Sequence, residues 1–242
     1  MNEIKTLDLF AGIGGFSRGL EATRAFSTVA MCEQNPYCQA VLRKHWPSVP
    51  IYNDVRTIPT DRLGRIDLVC GGFPCQDISF AGFGKGLEGE RSGLWREFYR
   101  IIGDIRPKYV IVENVAALLY RGVGRVLGDL AQIGFDAEWH CIPASYAGGT
   151  HIRDRVFIIA YPHSPGLERQ QIVNFPAKNG QRNYEQLTRL LEDQRQLAIP
   201  TSTGGGIHDG VSKRMARLQA LGNSVYVPLI EQIGKAIIEA ER

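Results

Sequence analysis

The chain has 242 residues, 44% of them hydrophobic and 22% charged, an ordinary globular composition long enough to bury a core without disulfide staples. No stretch approaches the roughly 20 apolar residues that span a bilayer, and the opening MNEIKTLDLF lacks the apolar region of a signal peptide, so a cytoplasmic protein is expected. A formal net charge of +3 is too small to imply nucleic acid by itself, and five cysteines without a C-x-x-C spacing exclude a disulfide framework and a structural zinc site.

In chain order, residues 4–10 read as a strand and the segment after Gly15 as a helix. Residues 28–32 form a second strand, 36–45 a second helix, and a short third strand precedes Asp54. Residues 66–70 read as a buried strand ending in Gly71 and Gly72. A helix over 92–105 leads to a buried strand over 109–112. The helix over 123–133 is stopped by Gly134, and 135–142 and 156–160 are the closing strands. Strands that alternate with helices make an α/β fold, a mostly parallel sheet with helices on both faces. Ligands then bind outside the carboxyl ends of the strands.

After Tyr161 the pattern changes. Residues 163–206 are polar and Gln-rich, with one helix expected over 184–197, and an amphipathic helix resumes over 225–240. The chain thus divides into residues 1–162, a short region 163–208 and a C-terminal segment 209–242. The basic surplus belongs to the later part. His163 to Leu221 carries 8 Lys/Arg against 5 Asp/Glu, and the remainder carries 20 of each sign.

The unusual residues fall where strands end. D-L-F-A-G-I-G-G-F, Asp8 to Phe16, runs from a strand through a glycine loop into a helix. Glu33 ends the next strand 21 residues beyond Gly12, the spacing of a carboxylate that grips ribose hydroxyls. The loop lacks the G-x-G-x-x-G of a dinucleotide site. It reads either as a plain strand-to-helix turn or, with Glu33, as a nucleoside site. Asp54 reads either as an acceptor for an adenine amino group or, taken alone, as a helix cap or turn residue. G-G-F-P-C-Q, Gly71 to Gln76, puts Cys75 in a loop at the mouth of the sheet, ahead of a long Gly-rich run. E-N-V, Glu113 to Val115, sets a carboxylate at a strand end, either paired structurally or catalytic. In H-I-R-D-R, His151 to Arg155, alternation aims Arg153 and Arg155 one way, as a solvated edge or as two guanidinium groups converging on a polar substrate.

In this order the segments resemble the DNA (cytosine-5) methyltransferase family, whose D-x-F-x-G-x-G-G, P-C-Q, E-N-V and Q-x-R-x-R motifs stand here as Asp8–Gly15, Pro74–Gln76, Glu113–Val115 and His151–Arg155. The late G-N-[SA]-V motif is Gly222 to Val225. Asp209 to Gln219 resembles the compact phage-associated members. The resemblance covers about residues 4–160 and 209–240.

It implies a Rossmann-like S-adenosylmethionine-dependent methyltransferase sheet with a small target-recognition region over 163–208. By resemblance Cys75 is the nucleophile, Glu113 holds ring nitrogen 3 of the cytosine, and Arg153 and Arg155 position the base. The cofactor, S-adenosyl-L-methionine, would lie against Phe10, Ala11, Gly12, Ile13, Gly14 and Gly15. Glu33 and Gln34 would meet its ribose, Asp54 and Val55 its adenine edge, and Pro74, Asn223 and Ser224 would complete the site. The implied partner is double-stranded DNA, with the target base flipped out. No membrane, no metal and a monomer are expected. His151 stands where the family has Gln.

Overall fold

The structure, a computed structural model, describes residues 3–74, 93–148, 154–164, 172, 217 and 220–241. Its frame is a seven-stranded sheet. The strands are β1 (Ile4–Leu9), β2 (Phe26–Cys32), β3 (Ile51–Tyr52), β4 (Leu68–Gly71), β5 (Tyr109–Val115), β6 (Phe135–Pro143) and β7 (Asp154–Pro162), in the spatial order β3-β2-β1-β4-β5-β7-β6. The first five are parallel, whereas β7 runs antiparallel to both β5 and β6. The sheet is therefore mostly parallel, as its apolar runs indicate, and reverses at one edge.

The helices are α1 (Gly15–Glu21), α2 (Pro36–His45), α3 (Gly93–Ile105), α4 (Leu118–Arg121), α5 (Val123–Gln132) and α6 (Val227–Ala240). α2 starts at Pro36 because proline suits the first helical position and the Asn35 side chain accepts hydrogen bonds from the Tyr37 and Cys38 amides. Alternation along each strand feeds two core layers. Leu7, Leu9, Val69, Val110 and Val112 pack with Phe98, Ile101 and Ile102 of α3 and Val126 and Leu130 of α5. On the other face Leu68, Cys70, Tyr109 and Ile111 pack with Phe16 and Leu20 of α1 and with Leu229, Ile230, Ile233 and Ile237 of α6. The C-terminal helix thus completes the layer begun by the first one.

The strand expected to stop at Val112 runs on to Val115, because Glu113, Asn114 and Val115 pair with Phe157, Val156 and Arg155 of β7. Glu113 therefore lies inside a strand. The closing strands are also longer than their apolar stretches, since pairing with each other carries them through polar residues. α4 and two 3₁₀ turns, Val55–Thr57 and Ala144–Ala147, have no periodic signal in the sequence. The helix expected over 184–197 lies outside the described residues. Among the described residues no helix is long and apolar enough to cross a membrane, and no group of His, Cys, Asp and Glu gathers as metal ligands would.

Candidate active site

The glycine loop is closed by the two acids that flank it. Gly14 occupies the N-cap position of α1 at φ 84, and a Cβ there would lie 2.5 Å from the Trp46 ring, so a side chain is refused on both counts. A glycine cap has no oxygen to offer the first helical turn, and Asp8, from β1, takes over. Its Oδ2 accepts from the Ser17 amide at 3.2 Å and from the Ser17 hydroxyl at 2.7 Å. Asp8 is wholly buried, and desolvation, opposed in part by these bonds and reinforced by Glu33, pushes its carboxyl up to about 7. This residue was legible only as the start of a motif; its partner stands nine residues on, across the loop.

Glu33 leaves the end of β2 and reaches the loop, where its Oε2 accepts from the Gly12 amide at 2.7 Å. Its other oxygen accepts from the Asn35 amide at 2.7 Å. Loop and acid therefore meet as the spacing predicts. Phe10 takes φ 55, rare for a bulky residue, and its half-buried ring sits 6.2 Å from that of Phe98. Ala11 is buried, Ile13 half-buried and Gln34 exposed. A Cβ at Gly12 would meet nothing within 4 Å, so the loop faces open space there. Asp54 does cap: its side chain accepts from the Arg56 amide at 2.9 Å. Val55 turns its side chain into the core, so what it presents outward is backbone.

From the far end of the chain, Ser224 and Val225 close against the same loop, and a Cβ on Gly15 would lie 2.8 Å from Ser224 Oγ and 2.7 Å from Val225 Cγ2. Asn223, beside them, is exposed. The late motif and the first motif are brought together, with α6 packing on α1 behind them.

The second cluster lies across β4 and β5. Glu113 is buried, and its Oε1 stands 2.9 Å from Arg155 Nε of β7. Arg155 pairs with Val115 in register, so Glu113 and Arg155 are diagonal neighbours on one face of the sheet. A Cβ on Gly72 would lie 2.8 Å from Glu113 Oε2. The chain leaving β4 towards Pro74 and Cys75 therefore passes directly over this carboxylate. Asn114, on the opposite face, donates from Nδ2 to the Phe73 carbonyl at 3.0 Å, which fixes the stem of that segment. Asn114 was overlooked as a separate contributor, although the E-N-V triplet already contained it. Phe73 also packs on Trp95 at 5.3 Å, and Trp95 Nε1 donates to buried Asp129 at 2.8 Å. The segments before and after residues 75–92 are thereby fastened to each other.

Pro74 is described and exposed. Cys75, His151 and Arg153 lie outside the described residues. Three other cysteines are poor nucleophiles. Burial pushes the Cys32 thiol up to about 12, that of Cys38 up to about 11, and that of Cys70 well above its usual value.

Comparison with known proteins gives the family. Residues 4–204 match the family described as C-5 cytosine-specific DNA methylase. The chain is 34% identical over 165 residues to the Type II methyltransferase M2.BsuMI of Bacillus subtilis (strain 168), covering 65% of this chain and 42% of that protein. It is 32% identical over 202 residues to the Type II methyltransferase M.AquIA of Picosynechococcus sp., covering 70% of this chain and 81% of that one. Of M2.BsuMI and of M.CviJI it spans less than half the length. The S. pombe Dnmt2 methyltransferase superposes with a TM-score of 0.66 over 98% of this chain and 99% of its own, at 14% identity, a likeness of fold. The sheet is thus a Rossmann-like one, with the fold of the S. pombe Dnmt2 methyltransferase. The chain belongs to the C-5 cytosine-specific DNA methylase family.

Proposed function

We propose that the chain is a DNA (cytosine-5-)-methyltransferase that moves a methyl group from S-adenosyl-L-methionine to carbon 5 of a cytosine flipped out of double-stranded DNA. The observation that supports it best is the meeting of Glu113, Arg155 and Gly72 at the carboxyl end of β4 and β5, where Cys75 follows as the third residue after Gly72.

The cofactor fits the glycine loop. Gly12 opens onto free space, Glu33 stands beside it, and the Phe10 ring offers an apolar face. Glu33 would exchange its amide partners for ribose hydroxyls, Asp54 and the Val55 backbone would meet the adenine edge, and Asn223 and Ser224 would reach the methionine end. When bound, the group supplies an electrophilic methyl on a sulfonium.

The chain's own residues would do the rest. Cys75, as thiolate, adds to carbon 6 of the cytosine, and the ring electrons shift so that carbon 5 becomes enamine-like. Glu113 would hold ring nitrogen 3 or protonate it, so that a proton meets the negative charge building there, and would take the proton back when the ring is restored. Arg155, already paired with Glu113, orients that carboxyl and with Arg153 steadies the base. Carbon 5 would then take the methyl group, and the donor would leave as the neutral thioether S-adenosyl-L-homocysteine. Loss of the carbon 5 proton to water would return its electron pair to the ring as a double bond to carbon 6, and Cys75 would leave as thiolate. Residues 163–221 would contact the DNA mainly through phosphates and read only a few base pairs.

The test is a duplex carrying 5-fluorocytosine, which cannot lose a proton from carbon 5. With S-adenosylmethionine the protein should form a denaturation-stable adduct, and Cys75→Ser should form none. An adduct on RNA but not on duplex DNA would overturn the DNA substrate, and one retained by Cys75→Ser would overturn the nucleophile.

A further inference from the structure

β6 is the outer strand of the sheet, and the chain beyond β7 folds back onto it. The His163 amide donates to the Gly134 carbonyl at 2.8 Å. The His163 ring nitrogen Nδ1 stands 2.9 Å from Asp136 Oδ2. Further on, the Ile172 amide donates to Glu138 Oε2 at 3.1 Å, a buried bond spanning 34 residues. Asp136 and Glu138 alternate on β6 and so share a face. The Ile172 side chain is itself buried, in the layer that holds Ile142, Phe157 and Tyr161.

Glu138 is 8% exposed. Burying a carboxylate is costly unless hydrogen bonds replace its water, and an aliphatic residue at this position would avoid that cost. What the acid gains is a main-chain amide in the region that follows the catalytic sheet. A bond to an amide does not depend on the side chain carried there, so the anchor survives changes of sequence in that region. Two carboxylates two residues apart thus grip the region at two points, His163 and Ile172.

We propose that Glu138, seconded by Asp136, is a positioning residue for target recognition: it fixes the origin of region 163–208 on the outer strand and so sets how that region meets DNA, without touching DNA itself. This rests on the reading of that region as the DNA-contacting one.

Glu138→Ala and the milder Glu138→Gln, which keeps shape and an acceptor oxygen, are compared with the wild type. Losing a hydrogen bond to a charged group predicts a KM for duplex DNA raised at least about tenfold in Glu138→Ala and less in Glu138→Gln. The kcat at saturating DNA should change less than about twofold, and S-adenosylmethionine affinity, by calorimetry, should hold, as an anchor remote from the base implies. Limited proteolysis should cut faster within residues 173–206 of the variants while the fragment over 4–160 stays intact. Unchanged KM and cleavage in Glu138→Ala overturn the proposal, as does a loss of cofactor binding equal to the loss of DNA affinity in both variants. If the wild type methylates no duplex DNA, the proposed function falls, and cleavage alone decides the anchor: equal cleavage of wild type and variants overturns it.

Discussion

Glu33, beyond β2, and Glu113, inside β5, occupy the same edge of the sheet with β1 and β4 between them, and their partners differ in kind. On the β1–β2 side, Asp8 and Glu33 are held by amides and a hydroxyl. On the β5–β7 side, Glu113 is held by a guanidinium. Neutral donors are exchanged at little cost, which would suit the proposed swap of amides for ribose hydroxyls and back again. A buried ion pair is not opened so cheaply, because each charge left alone in the interior is heavily penalised. The first arrangement suits a ligand that comes and goes. The second would suit the role proposed for Glu113, whose carboxyl geometry would be fixed before a base arrives.

The sharpest way to probe the neutral side is pH. Asp8 has no cation among the groups acting on it; Ser17, Cys70 and Glu33 are those that do, and its carboxyl is pushed up to about 7 from an ordinary 3.8. The folded protein therefore binds more protons than the unfolded chain between these values. Stability is full below about pH 4, falls as pH rises towards 7, and levels off above it. At 1.36 kcal/mol per pKa unit, the change is on the order of 4 kcal/mol. Asp8→Asn, which keeps an acceptor for Ser17, should flatten this fall. Chemical denaturation at pH 5 and pH 8 measures it, and equal slopes in variant and wild type would remove Asp8 from the account.

The charged side should respond differently. Arg155→Ala leaves Glu113 uncompensated and should cost about 3 kcal/mol, the low end for a broken buried pair since Arg155 keeps 22% of its side-chain exposure. Glu113→Gln added to Arg155→Ala should recover part of that loss, while activity stays absent. Denaturation of the two variants separates them, and a double variant no more stable than the single one would show that the charge was not the cause. The smallest effect belongs to Glu33→Ala. Affinity for S-adenosylmethionine should fall about tenfold, equivalent to about 1.4 kcal/mol, with little change in stability, because the Gly12 and Asn35 amides it frees lie near water. Titration calorimetry reads the affinity, and an unchanged value would leave the acid as loop closure alone.

This contrast was only half visible in the sequence. Periodicity placed the strands, and the helix expected over 36–45 forms with those bounds, its start held by the local cap of Asn35 and by Pro36. The spacing from Gly12 to Glu33 announced a meeting that the fold delivers. Local signals failed where tertiary pairing takes over: β5 continues through Glu113 and Asn114 because β7 lies alongside, which no window of residues around 113 reveals. The Asp8–Ser17 bond stayed hidden for a similar reason, since a loop motif does not say which face its first residue takes. Arg155 was read as facing a substrate together with Arg153. In the fold its first partner is Glu113, so the structural pairing offered for E-N-V is present as an ion pair. Asp54 proved to be the cap that its own position suggests.

Gly15 stands against Ser224 and Val225, and Gly19 behind it against Ile230, residues from opposite ends of the chain. On the ribosome the glycine loop emerges well before the residues that close on it. At a synthesis rate of about 5–20 residues per second, the wait between the two is on the order of 10–40 s. During that interval the apolar face of α1 that α6 will cover is bare, so a nascent chain depends on whatever shields that face. A truncated product lacking α6 would keep every motif of the first two-thirds and still have an unfinished cofactor wall. The order of synthesis thereby acts as a checkpoint: the glycine loop, the proposed methyl-donor site, cannot be packed from behind before α6 is made.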